Sequence, residues 1–180
     1  MDIQLVPLQH TDIELVRGWR NAPEVAQYMY TDELISPEQQ EAWFIKINDD
    51  PSSQYWIIRY NDQPIGLASL TGISYSLGSC YWAFYLGDTS IRGAGIGSKV
   101  ECNVLDYVFN ELKLNKLRCE VFVFNDKVIS MHEKFGFRRE AYYRQHARKN
   151  GKWHDVVGLA MLKEEWEQVR ELMRAKIYRQ

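Results

Sequence analysis

Cysteine is scarce, and what there is builds neither a disulfide framework nor a metal site. Cys80, Cys102 and Cys119 are odd in number, show no C-x-x-C spacing and lie in apolar stretches, where a free thiol behaves as a small hydrophobe. A reducing, cytoplasmic setting is the expectation. The histidines His10, His132, His146 and His154 lack ligand spacing, and His132-Glu133 does not continue into H-E-x-x-H, so no metal is expected. Nor does one sign of charge dominate. With 22 basic against 24 acidic residues the formal net charge is −2, which excludes a global basic field for nucleic acid or for an acidic membrane surface. No apolar run approaches the length of a membrane span, and Met1 leads into Ile3-Gln4-Leu5-Val6 rather than into a basic segment followed by an apolar one. Nothing suggests export, and neither nucleic acid nor a membrane is an expected partner.

The 180 residues, 46% of them hydrophobic, suffice to bury one core without staples, and no repeat, linker or low-complexity segment interrupts them. A single domain over 1–180 is expected. Strand-like alternation over 2–8 passes through Thr11 and Asp12 to Ile13, Leu15, Val16 and Trp19 at helical spacing. Pro23 ends that pattern. Ser36-Pro37-Glu38-Gln39 then reads as N-cap, N1 proline and capping-box partner of a second helix to residue 47. Strands are predicted over 54–60 and 64–73 around an Asn61-Asp62 turn, and over 81–86. Ile96, Val100, Val104 and Val108, widened by Leu105 and Leu112, give a helix over 96–112 with one buried face. The apolar run 117–124 reads as a central strand covered on both faces. Asn125-Asp126 caps a helix carrying Val128, Ile129, His132 and Phe135, which Gly136 ends in the left-handed region. Asn150-Gly151 joins extended segments 140–149 and 152–162, and a charged helix over 164–176 follows.

Between the strand at 81–86 and the helix at 96 stands Arg92-Gly93-Ala94-Gly95-Ile96-Gly97-Ser98. A glycine-rich turn that opens a helix presents unpaired N–H groups at the positive end of the helix dipole, a geometry that binds phosphate. Arg92 adds a fixed charge at its edge. Ser98-Lys99 is in the wrong order for a nucleotide-triphosphate loop, and the stretch comes too late in the chain for an opening dinucleotide fold. The third pattern, Arg/Gln-x-x-Gly-x-Gly/Ala, is matched by Arg92, Gly95 and Gly97, and resembles the acetyl-coenzyme A pyrophosphate loop of the GNAT acetyltransferase superfamily.

A second stretch strengthens that resemblance. Asn125, Ser130 and Glu133-Lys134-Phe135-Gly136-Phe137 are similar to the superfamily's second signature. The order of elements also fits, which implies an α/β GNAT fold with a mixed central sheet of about seven strands flanked by helices. It further implies an acetyl-coenzyme A-dependent N-acetyltransferase in which Tyr85, Leu86, the loop 92–98, Asn125 and Ser130 hold the coenzyme. More narrowly, Trp19-Arg20-Asn21, Tyr28-Met29-Tyr30, Pro64-Ile65-Gly66, Tyr85-Leu86-Gly87 and His154-Asp155 resemble the acetyltransferases of pseudaminic acid biosynthesis. The acceptor is then expected to be the 4-amino group of a UDP-linked 4-amino-4,6-dideoxy sugar, bound by Arg20, Asn21, Met29, Tyr30, Thr71 and Trp82. A homodimer is compatible with this. The alternatives are a ribosomal-protein N-terminal or polyamine acetyltransferase, and a silent coenzyme A-binding module. A polyamine site calls for clustered acids, and the single adjacent acidic pair in that loop, Asp32 and Glu33, disfavours it.

Acetyl transfer to an amine needs an unprotonated amine, donors for an oxyanion and a proton for the thiolate. Backbone N–H groups around Tyr85 and Leu86 are the donors that the resemblance implies. Glu120 stands within an apolar strand, where a carboxylate is expensive unless paired or hydrated, and reads either as a structural ion pair or as the base, acting with the Ser69 hydroxyl. At the position where the superfamily commonly has tyrosine as the acid, this chain has His132, either an acid or a hydrogen-bonding bystander.

Overall fold

The computed structural model describes residues 3–91 and 95–178. Seven strands form one mixed sheet in the order β1-β2-β3-β4-β5-β7-β6. They are β1 (Ile3–Pro7), β2 (Gln54–Tyr60), β3 (Gln63–Ser74), β4 (Ser79–Leu86), β5 (Lys116–Phe122), β6 (Arg138–Lys149) and β7 (Lys152–Leu162). The helices are α1 (Ile13–Asn21), α2 (Pro23–Ala26), α3 (Pro37–Asn48), α4 (Ile96–Asp106), α5 (Asp126–Phe135) and α6 (Lys163–Tyr178). The chain divides into two compact units, one made of the chain through Ile73 with Trp82–Ile96, the other of Ser74–Tyr81 with the chain from Gly97 onward.

In the first unit β1 and β3 flank β2 in antiparallel register. The β2–β3 hairpin turns at Asn61 and Asp62, whose φ values of 50° and 61° are those of the mirror-image turn that matches strand twist. Ser36 accepts from the Gln39 amide while the Gln39 side chain returns to the Ser36 N–H, so the capping box starts α3 as expected. Pro23 does more than end a helix: it occupies the first turn of the short α2, where its missing N–H is of no consequence. Val16, Ile57 and Leu67 form the core, with Leu8, Trp19, Trp43, Tyr55 and Tyr85 packed around them. Gly66 is required by close approach, because a Cβ there would collide with the Tyr85 carbonyl oxygen on β4.

In the second unit β4 and β5 run parallel, pairing Ser79, Cys80 and Tyr81 with Lys116, Leu117 and Arg118. β5 also pairs antiparallel with β7 along its whole length, and β7 with the edge strand β6. Helix α4 ends at Asp106 rather than running on to 112, and a π-helical turn, Tyr107–Glu111, takes over. Val108 and Phe109 of this wider turn are both buried. β5 is not covered on both faces. Leu117, Cys119 and Val121 are buried, whereas Glu120 is exposed, because the polar alternates Lys116, Arg118 and Glu120 share the other face. Among the described residues no helix is long and apolar enough to cross a membrane.

Candidate active site

Arg92, Gly93 and Ala94 lie outside the described residues. Immediately after them Gly95 has φ 73°, a left-handed conformation that glycine adopts without strain, and nothing lies within 4 Å of where its Cβ would stand. Helix α4 opens at the next residue, so the first N–H groups of an 11-residue helix, those of Ile96, Gly97 and Ser98 included, follow an unobstructed glycine. This is the local geometry that an anion requires.

The first unit holds most of the residues expected to meet the acceptor. Arg20, at the end of α1, donates to Thr31 Oγ1 at 3.1 Å, and burial lowers its guanidinium while the Tyr85 phenol partly restores it. Burial in turn pushes the Tyr85 phenol far above its ordinary range, and its hydroxyl is enclosed without a hydrogen-bond partner. Asn21 is committed elsewhere. Its Nδ2 donates to the Ile35 carbonyl at 2.9 Å and its Oδ1 accepts from the Ile35 N–H at 2.8 Å, which ties down the connection between α2 and α3. Trp82 is 3% exposed and stacks on Phe84, a core side chain with no free face. Ser69 and Thr71 are half-buried on β3, Met29 is half-buried and Tyr30 exposed. The N–H groups of Gly87 and Asp88 both donate to the Ile65 carbonyl, holding the chain beyond Leu86 against β3.

The second unit holds Glu120, Asn125, Ser130 and His132. Asn125 is the N-cap of α5 and its side chain makes no capping bond, so the amide is not consumed by the helix it begins. Ser130 is exposed on the same helix. His132 is 3% exposed, and its Nδ1 lies 2.7 Å from Oε1 of Glu101, a carboxylate on α4 that is 0% exposed. Burial alone would lower the imidazole, but the Glu101 carboxylate, helped by Cys119, raises it to about 10. Burial in turn raises the Glu101 carboxyl above its ordinary range, and the charge and hydrogen bond of His132 draw it partly back. Glu120 instead points outward and lies 4.0 Å from Nε2 of His146 on β6.

Two functional candidates were thus missed in the sequence. Glu101 stands at the i, i+4, i+7 spacing of Leu105 and Val108, a signal that it joins the buried stripe of its helix. His146 carried no such signal, since its reach to Glu120 depends on an irregularity of β6. Burial pushes the Cys80 thiol up to about 12 and that of Cys102 to about 11, so neither supplies a thiolate for a covalent acetyl intermediate. Among the described residues no His, Cys, Asp and Glu side chains are grouped to hold a metal ion.

The acetyltransferase (GNAT) domain family matches residues 2–138 of this sequence. The chain belongs to the GNAT acetyltransferases. It is an acyltransferase that takes its acetyl group from acetyl-coenzyme A, as the glycine loop and the second signature implied. Among its relatives, the acetyltransferase PseH of Campylobacter jejuni (strain 81-176) is 28% identical over 130 residues, 72% of this chain and 79% of that protein. The spermidine N(1)-acetyltransferase of Vibrio cholerae is 24% identical over 165 residues, 91% of this chain and 95% of that protein. The crystal structure of spermidine N-acetyltransferase from Vibrio cholerae in complex with CoA and spermine superposes with a TM-score of 0.87 at 23% identity, covering 92% of this chain and 98% of its own. That superposition establishes the fold.

The narrower resemblance to acetyltransferases of pseudaminic acid biosynthesis, and with it the nucleotide-sugar acceptor, does not stand. Spermidine N-acetyltransferases are similar to this GNAT acetyltransferase over nearly its full length in both sequence and structure, whereas the PseH match covers 72% of the chain. The residues assigned to the sugar nucleotide agree with the correction: Asn21 is occupied by Ile35 and Trp82 is core.

Proposed function

We propose that this GNAT acetyltransferase modifies a polyamine of the spermidine and spermine class, using acetyl-coenzyme A in the cytoplasm. The observation that carries the proposal is the end-to-end correspondence with the Vibrio cholerae spermidine N(1)-acetyltransferase, 91% of this chain against 95% of that protein. Asp32 and Glu33, both exposed in the connection before α3, offer adjacent carboxylates to a polycation.

In this reading the amine attacks the thioester carbonyl directly. The C–N bond forms, the C–S bond breaks, and the coenzyme thiolate leaves and takes a proton. Loop 92–98, Tyr85, Leu86, Asn125 and Ser130 are assigned to the coenzyme, and Ser69, Arg20, Met29, Tyr30 and Thr71 to the acceptor side. Glu120, a partly exposed carboxylate, takes the ammonium proton so that the nitrogen lone pair becomes available. His132 is not assigned the proton for the thiolate, because it is enclosed with Glu101 and serves to hold α4 against α5. Those two helices begin with the residues assigned to the coenzyme, Gly97 and Ser98 on one, Asn125 on the other.

The test is thiol release from acetyl-coenzyme A with spermidine, spermine and an α-amine peptide in parallel, with mass spectrometry locating the acetyl group. Release with the polyamines and not with the peptide is expected. Turnover of the peptide alone would transfer the assignment to protein N-termini, and coenzyme binding without release to any amine would leave a silent binding module.

A further inference from the structure

Strand β6 is irregular along its pairing with β7. Tyr143 pairs with Val156 and Ala147 with His154, so three residues of β6, Arg144, Gln145 and His146, stand opposite the single residue Asp155 of β7. Gln145 has φ 49°, a left-handed conformation uncommon for a side-chain-bearing residue. Asp155 fixes this bulge from across the ladder: its Oδ1 accepts from the Gln145 N–H and its Oδ2 from the Tyr142 hydroxyl, each at 2.6 Å. Such a bulge on an edge strand re-aims a side chain.

What it aims is His146. Glu120 pairs with Gly158 on β7, and Gly158 with Ala141 on β6. In an unbroken strand residue 146 would lie roughly 16 Å beyond residue 141, at about 3.3 Å per residue, out of reach of Glu120. With the extra residues folded in, Nε2 of His146 comes to 4.0 Å from Oε2 of Glu120. The absence of a side chain at Gly158 matters as well. Tyr143 lies over it, its Cε2 at 3.4 Å from where a Cβ would stand, and the Tyr143 ring supports the His146 ring at 4.9 Å between centroids. Of the neighbouring titratable groups, Asp155 is engaged within the bulge and His154 against Phe122 and Phe124. His146 is the more exposed partner, 42% against 27% for the Glu120 side chain.

We propose that His146 is a positioning residue for Glu120, orienting its carboxylate and carrying away to solvent the proton that the acceptor ammonium surrenders. The inference rests on the reading of Glu120 as the base. The proton moves from the ammonium nitrogen to Glu120, from Glu120 to Nε2 of His146, and from the other ring nitrogen to water. Carboxylate and neutral imidazole are thereby restored for the next turnover, and no other co-reactant is needed.

The experiment compares His146→Ala, His146→Gln, Glu120→Gln and the double variant Glu120→Gln/His146→Ala for thiol release, with circular dichroism confirming the fold of each. We expect both His146 variants to lose about tenfold in kcat, less than the roughly 10²–10⁴-fold that a direct acid–base group supplies because His146 acts through Glu120, with KM for acetyl-coenzyme A unchanged. Added imidazole restores His146→Ala, and the double variant is no slower than Glu120→Gln alone, as two groups acting in one step require. Wild-type kcat in His146→Ala, a loss that imidazole does not recover, or losses that multiply in the double variant would each overturn the proposal. If spermidine gives no thiol release with the wild type, the polyamine reading fails by itself. The same proteins are then compared with the α-amine peptide, whose proton leaves through the same carboxylate.

Discussion

Glu101 Oε1 and His132 Nδ1 stand 2.7 Å apart in the interior, joining α4 to α5 through side chains that are 0% and 3% exposed. A single buried ion pair between two helices is unequal in its consequences: removing one partner strands the other, whereas the intact pair roughly balances its own desolvation. Glu101→Gln is therefore expected to destabilise the protein by roughly 3 kcal/mol at neutral pH. The pH dependence has a definite sign. The folded state raises His132 from 6.5 to about 10 because of the Glu101 carboxylate, so it holds the proton more tightly than the unfolded chain does. The stability this contributes is complete below about pH 6.5 and is lost progressively as pH rises to about 10. Urea unfolding of the wild type at intervals across that window should show the decline, and Glu101→Gln should show a flatter profile.

Asp106 gathers the C-terminal helix. Its carboxylate accepts from Trp166 Nε1 at 3.0 Å, from Arg170 Nε at 2.6 Å and Nη2 at 3.0 Å, and from Arg174 Nη1 at 2.8 Å. Trp166 is fully buried, so its N–H has no recourse to water if the acceptor goes. Asp106→Ala should cost about 2–4 kcal/mol in urea unfolding, more than a surface ion pair does, through an unsatisfied indole and the loss of an acceptor shared by two guanidinium groups, of which Arg170 retains Glu171. Arg174→Ala removes only one donor, at a partly exposed position, and should cost less than about 1 kcal/mol.

Local signals made most of the fold legible before any coordinates. The Asn61-Asp62 and Asn150-Gly151 turns, the Ser36–Gln39 box and the Gly136 stop each depend on a few adjacent residues, and each is where its chemistry requires. The π-helical turn at Tyr107–Glu111 was not legible, because the apolar stripe through Val104, Val108 and Leu112 keeps a regular helical spacing across it. The site was legible only in part. The glycine loop and the Asn125 cap are short-range patterns, and they carried the family assignment. Glu120 was noticed for a burial it does not have, since an apolar neighbourhood in sequence conceals which face of a strand is open. Glu101 and His132 were both readable as polar residues on apolar helical stripes, and pairing one with the other required the packing of α4 and α5. The acceptor was misjudged for a different reason: short motifs shared across GNAT acetyltransferases do not set the acceptor, and the near-full-length likeness to spermidine N-acetyltransferases overturned the sugar-nucleotide reading.

Gly66 offers a test of how strictly β3 and β4 must approach. An alanine Cβ would meet the Tyr85 carbonyl oxygen and press on the Leu86 Cα, and backbone yields less readily than the end of a flexible side chain. Gly66→Ala should lower stability by about 1–3 kcal/mol, the usual range for an overpacked interior. Because Tyr85 and Leu86 are assigned to the thioester end of the coenzyme, the variant should also lose turnover beyond what its reduced folded fraction explains. Thiol release normalised to folded protein checks this.

Gly95 separates conformational from spatial demands at the coenzyme loop. Its φ of 73° disfavours side-chain-bearing residues, while nothing within 4 Å would obstruct a Cβ. A β-branched valine pays the left-handed strain in full, roughly 1–2 kcal/mol, and should weaken the whole turn. Asparagine visits this conformation readily, so Gly95→Asn should unfold in urea within a few tenths of a kcal/mol of the wild type. Its side chain nevertheless enters the open space beside the first turn of α4, where the pyrophosphate is assigned. Calorimetric titration with acetyl-coenzyme A should therefore find both variants weakened by about tenfold or more, equivalent to about 1.4 kcal/mol, although only valine affects stability. Equal affinity for the wild type and Gly95→Asn would mean that the space above Gly95 is not where the phosphates lie, and that the loop serves the helix alone.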